Sequence, residues 1–141
     1  MSNKWLSPAG IWAPQALALT RMVVGLFLVY HGWEVWDSGK MSDYGKWLTE
    51  LGFPAPSVMA YLGKGAELLC GVLLTLGLLT RPAALLLGIT MAGICFAMGK
   101  GRIFMEDQHP FLFVLFAFLF FFAGPGSWNL DARLFSSPGR K

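Results

Sequence analysis

One carboxylate constrains this chain more than any other feature. The stretch from Tyr61 to Thr80, YLGKGAELLCGVLLTLGLLT, is apolar over a length that crosses a bilayer, yet Glu67 sits inside it. A carboxylate within hydrocarbon is unfavourable by roughly 2.5–3.5 kcal/mol on insertion scales. It therefore requires a partner charge, a water-filled cavity or a proton, and other segments must pack around it to supply one. Composition agrees with a membrane setting. The 141 residues are 55% hydrophobic and only 13% charged, about half the charged share of an ordinary soluble domain. Mean hydropathy is +0.56. A soluble domain of this size could not bury so much apolar surface, so the class is a polytopic protein of the lipid bilayer. The net charge is only +3 and the basic residues are scattered, which excludes a nucleic-acid partner needing a clustered basic face. Cys70 and Cys95 both lie in apolar segments, unlike the cysteines of a disulfide-stapled secreted domain.

Read along the chain, apolar runs predict four transmembrane helices over about 16–34, 57–79, 82–99 and 109–124, in a single all-α domain covering 1–141. The first ends in His31-Gly32-Trp33-Glu34, and no small-residue cleavage site follows it, so a removable signal peptide is not expected. From Val35 to Pro56 comes one long loop of mixed charge, whose KWLTELGF part suits a short amphipathic helix at the interface. Thr80-Arg81-Pro82 makes a tight connection, because proline is well tolerated in the first turn of a helix. The second and third segments then form an antiparallel hairpin. The fourth, rich in phenylalanine, is short for a span unless it continues toward Trp128. Trp12, Trp33, Trp36 and Trp128 all fall at or beyond segment ends, where indoles favour the headgroup region. The expected architecture is a four-transmembrane-helix bundle with short loops.

Helix rise converts spacing into depth. Arg21 to His31 is roughly 15 Å, and Glu67 to Arg81 and Arg81 to Cys95 are each roughly 21 Å. If Arg21 and Arg81 mark one membrane face, then His31, Glu67, Cys70 and Cys95 share the opposite half, with Glu34, Glu106 and His109 near its surface. Gly63, Glu67 and Gly71 are spaced by four, with Ala60 and Cys70 beside them. Small residues mark a packing face in membranes, so Glu67 is expected to face into the bundle. Gly88, Ala92, Cys95 and Gly99 form a similar stripe. The expectation is one pocket around His31 and Glu67, roofed by Glu106 and His109.

Within that pocket Glu67 and His31 are the candidate catalytic groups, since a carboxylate and an imidazole can carry protons. Lys64, Glu34, Glu106, His109 and Arg102 are candidate substrate-binding groups. Structural readings stand beside these: an ion pair between Glu67 and Lys64 one turn away, and an interfacial His31 bonded to a loop carbonyl. Cys70 and Cys95 are a candidate redox pair or simply small packing residues. Arg21 and Arg81 read as topology anchors, with Arg21 snorkelling to the interface and Asp131 pairing with either one. No metal site is expected, and no nucleophile–base pair, phosphate loop, flavin motif or nicotinamide motif is present. Lysine and arginine counts barely separate the two faces. The basic tail and the lone Arg81 in the tight turn favour cytoplasmic termini in a bacterial-type inner membrane.

This constellation resembles the DoxX family of small four-helix membrane proteins. Its pieces are Arg21 opening the first segment, His31-Gly32 closing it, and Glu67-Leu-Leu-Cys-Gly in the second. Gly77-Leu-Leu-Thr-Arg81, Glu106 and Gly124-Pro-Gly-Ser-Trp-Asn-Leu-Asp131 complete it. Asn129 stands where serine is expected, which should weaken only a local cap. The resemblance implies association with a thiosulfate:quinone oxidoreductase or terminal quinol oxidase. Two readings follow: a redox-linked subunit with a quinone-like ligand near Glu67, or a non-catalytic accessory subunit docking to a larger oxidoreductase complex or to further copies of itself.

Overall fold

The computed structural model describes residues 7–136, which are all-helical and hold no strand. Helix α1 (Ala13–Gly32) runs into a tight turn over Trp33–Trp36, and α2 (Ser38–Glu50) follows. Then come α3 (Pro56–Leu76), α4 (Thr80–Ala92) with a π-type extension over Gly93–Met98, α5 (Gln108–Ala123) and the short α6 (Asp131–Phe135). Three stretches are long and apolar enough to cross a membrane: Ala13–Trp36, Pro56–Leu76 and Thr80–Met98. The apolar α5 is shorter. It stops at Gly124, which has φ +81°, instead of continuing toward Trp128. Its 16 residues reach about 24 Å, some 6 Å less than a typical hydrocarbon core.

The outer faces are apolar as well as the inner ones. Leu26, Phe27, Ile89, Phe118 and Phe122 are all exposed, as expected of helices whose surroundings are lipid. Inside, Leu28, Leu74, Leu87 and Phe120 are fully buried in one core drawn from α1, α3, α4 and α5. Helix α1 lies along α3, α3 packs on α4, and α4 on α5.

Glycines decide how closely α1 and α3 approach. A Cβ on Gly71 would come within 2.6 Å of the Val29 backbone nitrogen, and one on Gly25 within 2.8 Å of the Gly71 carbonyl oxygen. Gly32 lies as tightly against the backbone of Leu68. The packing face expected on α3 is therefore correct at Gly71 but not at Gly63, where an added Cβ would meet nothing. Close backbone approach substitutes for the hydrophobic effect, which has no purchase between helices in lipid.

The region from Val35 to Pro56 is mostly helix rather than loop. Asp37 accepts hydrogen bonds from the backbone of Gly39 and Lys40 at 3.0 and 3.1 Å, an N-cap that starts α2. Met41, Gly45 and Leu48 recur at helical spacing and are buried where α2 packs on α3.

At the opposite end, the segment after α5 folds back over the bundle. Ser127 donates to the Pro14 carbonyl at 3.0 Å, and Asp131 to that of Gly77 at 3.0 Å. The start of α1, the α3–α4 turn and the end of α5 thus lie together, as the depth argument required.

Candidate functional site

Close packing of Gly32 on Leu68 sets the neighbouring residues, His31 and Glu67, side by side at the end of the bundle away from Arg81. There a cavity of about 170 Å³ is bounded by His31, Lys64, Glu67 and His109. Its apolar wall comes from Leu28, Met91, Ile94, Pro110 and Phe113, so with Lys64 and Glu67 of α3 all four long apolar helices contribute. Ile94 belongs to the π-type turn of α4, a distortion that recurs at functional sites. The His31 and His109 rings meet edge to face with centroids 5.4 Å apart, and His109 meets Phe113 in the same way at 5.1 Å. Among the described residues neither imidazole side chain has a hydrogen-bond partner.

The charges are arranged in a chain. The Lys64 ammonium lies 3.1 Å from Glu67 and 3.2 Å from Glu34, and Lys40 lies 2.8 Å from the other oxygen of Glu34. Tyr44 donates its hydroxyl to Glu34 at 2.8 Å, and its ring lies 4.9 Å from the Lys64 ammonium. Two carboxylates face two ammonium groups, so the network is neutral. In α2, outside the spans, the effect of Glu34 is visible on both partners. The carboxylate holds the Lys40 ammonium above its ordinary value. Burial first, and donation to Glu34 second, push the Tyr44 phenol up. Lys40 and Tyr44 were not singled out from sequence. Their signal is the cap at Asp37, which turns the expected loop into a helix and sets Tyr44 over Lys64.

Other expected residues lie elsewhere. Glu106 does not roof the cavity. It is exposed and faces Arg102 at 3.8 Å, and neither lines the cavity wall. The reason is the preceding turn, which Asp107 organises by accepting from the backbone of Lys100 and Arg102 at 3.0 and 2.8 Å. Cys70 and Cys95 are free thiols, fully buried. The Cys70 thiol points to the Ala83 carbonyl at 3.4 Å and the Cys95 thiol to that of Asp107 at 3.8 Å.

Arg21 does not snorkel. It is 0% exposed, and its Nη2 donates to the Trp128 carbonyl at 2.9 Å beneath the folded-back segment. Asp131 forms no ion pair with Arg21 or Arg81. Its carboxylate accepts from the backbone of Leu79 and Thr80 at 2.6 and 2.9 Å and so caps α4. Arg81 is exposed. Asn129 accepts from the Ala132 backbone at 2.6 Å, so the local cap expected to weaken is made by asparagine.

The sequence profile of the DoxX family matches residues 16–100, from α1 through the π-type turn. A protein of Mycobacterium tuberculosis described as an uncharacterised membrane protein is 32% identical over 138 residues, covering 86% of this chain and 82% of its own length. An uncharacterised protein of Haemophilus influenzae is 29% identical over 131 residues, covering 88% and 94%. No solved structure matches. The matched region holds His31, Glu34, Lys64 and Glu67 but not His109. The profile covers more than half of the chain and the mycobacterial relative most of it, so the chain belongs to the DoxX family of membrane proteins.

Proposed function

We propose that this protein is a redox-linked membrane subunit that binds a quinone-like molecule in the cavity around Glu67. One observation carries the reading: two imidazoles, an ammonium and a carboxylate converge on a cavity of about 170 Å³ inside an otherwise apolar bundle. Such convergence of polar groups on an apolar pocket is the usual mark of a ligand site. Reduction of a quinone to a quinol takes up two electrons and two protons. The electrons come from a larger oxidoreductase subunit or soluble partner, because the sequence carries no flavin or nicotinamide motif of its own. His31 and His109 donate hydrogen bonds to the ring oxygens; His31 passes on the two protons, each replaced from solvent, and the Glu67 carboxylate stabilises the imidazolium formed in transit. Lys64 compensates the charge of Glu67. In this reading the chain sits in a bacterial-type inner membrane with both termini cytoplasmic and the cavity toward the far side.

The test is titration of the full chain in mild detergent with a decyl-tailed benzoquinone. Binding should fall at least tenfold in Glu67→Gln and in His109→Ala while both variants stay folded. Binding that ignores both substitutions removes the basis for the proposal.

A second reading, a non-catalytic accessory subunit, has its own support. Gly63, Gly65 and Gly93 line an outward groove of about 590 Å³ between α3 and α4, and each has open space where a Cβ would be. Small residues unused inside the bundle suit a close-packed helix from another subunit. This reading expects a stable larger complex on purification and no quinone binding.

A further inference from the structure

Helices α1, α3, α4 and α5 do not close into a sealed ring. Each packs on the next, but α1 and α5 share little direct contact. Along that seam runs a groove of about 430 Å³, lined by Leu19, Val23 and Phe27 of α1 and by Leu112 and Phe116 of α5. Its inner end is formed by His109 and Phe113, and these two side chains also wall the polar cavity.

We infer that this groove admits the cavity's ligand sideways from the bilayer and then holds its tail. The ligand class is a neutral lipophile with a one-ring head bearing carbonyl or hydroxyl oxygens and a flexible hydrocarbon chain. The inference rests on the reading that the cavity binds a small molecule, and it adds what that molecule must look like.

Size, charge and access each restrict the choice. A cavity of about 150 Å³ accommodates a benzene ring, so about 170 Å³ takes one ring and leaves the rest of a lipophile outside. Glu34 and Glu67 are matched by Lys40 and Lys64, so a charged head would find no counter-charge. The unpartnered imidazoles of His31 and His109 provide donors for neutral oxygens. On the α2 side of the cavity Lys64 is held between two carboxylates and overlaid by Tyr44. The way from lipid passes the buried Phe113 and is narrowed by the exposed His109 ring, whose edge contacts break by rotation of that ring without moving a helix. Competing grooves connect less well. That between α3 and α4 shares only Ile94 with the cavity, and that between α4 and α5 shares no wall with it.

The experiment compares two probes on the full chain in mild detergent: a decyl-tailed benzoquinone and the same ring with methyl in place of decyl. Val23→Trp and Leu112→Trp fill the groove from facing helices. Both positions are partly exposed, at 42% and 45%, so either variant can stand in if the other fails to fold. Leu115→Trp, also exposed on α5 but outside the groove, is the control. The groove variants should weaken the tailed probe at least tenfold and the methyl probe less than twofold, with no effect from the control. Glu67→Gln should weaken both probes. Tailed-probe binding unchanged in both groove variants, with Glu67→Gln still impaired, overturns the groove alone. Equal weakening of the two probes by the groove variants overturns it as well. No binding of either probe to the wild type overturns the cavity reading and this inference together.

Discussion

Removing the Lys64 charge should destabilise the protein more than removing that of Glu67, although the two form one ion pair. Lys64 lies within 3.2 Å of both Glu34 and Glu67. Its side chain is 14% exposed and that of Glu67 8%. At an effective dielectric of about 20, a pair near 3 Å attracts by roughly 5 kcal/mol before desolvation is counted. Deleting one partner of such a buried pair typically costs about 3–5 kcal/mol, because the other charge is left behind. Lys64→Met leaves Glu67 with no partner among the described side chains, while Glu34 keeps Lys40 and Tyr44. Glu67→Gln leaves Lys64 with Glu34 and a neutral acceptor in place of the carboxylate, so its loss should be about 1–2 kcal/mol. The double variant removes both charges and should recover about 2 kcal/mol relative to Lys64→Met alone. Equilibrium unfolding in mixed micelles with increasing dodecyl sulfate measures all three. A Glu67→Gln loss equal to that of Lys64→Met, or a Lys64→Met loss below about 1 kcal/mol, would refute the claim that Lys64 is shared.

Three further outcomes are expected. Gly71→Leu should prevent stable packing of α1 on α3, whereas Gly63→Leu on the same helix should fold normally, as read by melting in detergent; the difference follows from backbone 2.6 Å away at one position and open space at the other. Asp131→Ala should lower stability by about 0.5–2 kcal/mol, the usual range for loss of a helix N-terminal acceptor, because the backbone N–H groups of Leu79 and Thr80 lose their acceptor. Alkaline titration should find the α2 network intact well above neutrality. Lys40 and Tyr44 are both raised above ordinary values of 10.5 and 10.0. Their contribution is therefore complete below those unfolded values and lost as pH rises through the raised folded ones. The melting temperature should be flat from about pH 8 to 9.5 and fall above about pH 10, and a fall beginning near pH 8 would contradict the network.

Hydropathy is local, so the long apolar helices were legible from sequence to within a few residues. Their ends were less so, because they depend on single backbone conformations: α3 stops at Gly77, with φ +66°, and α4 restarts after Leu79, with φ +48°. Depth also follows from counting along a helix, which is why His31, Lys64, Glu67 and His109 could be assigned to one end. Rotational phase after a loop does not follow from counting. Glu106 was misplaced because Asp107 folds the turn before α5, and nothing in the hydropathy of Lys100 to Gln108 records that. The burial of Arg21 was hidden for a different reason. The one acceptor of its side chain among the described residues, the Trp128 carbonyl, is 107 residues away, so local reading sees only a cation near a helix end. Helix α2 was underrated because its charged residues dilute the spaced pattern of Met41, Gly45 and Leu48 that packs it down.

The two ends of the α1–α5 seam are held by different kinds of contact, and this bears on how a lipophile could pass between them. At the Arg21 end the helices are stitched by polar bonds. Arg21 of α1 donates to the Trp128 carbonyl and Ser127 donates to the Pro14 carbonyl, both within the segment that follows α5. Arg21 keeps two buried nitrogens, Nε and Nη1, without a partner among the described residues. That end therefore gains nothing from admitting hydrocarbon and would lose a charged hydrogen bond by opening. At the cavity end the two helices meet through the edges of His31 and His109, an aromatic contact worth about 0.5–1.5 kcal/mol. Side chains that are partly exposed change rotamer in picoseconds to nanoseconds, whereas separating stitched helices is a far slower collective event. On the proposed route a lipophile would therefore pass between α1 and α5 at the end where the cavity lies. Under that proposal the buried Arg21 would act without touching the ligand, by its hydrogen bond that holds the far end of the seam.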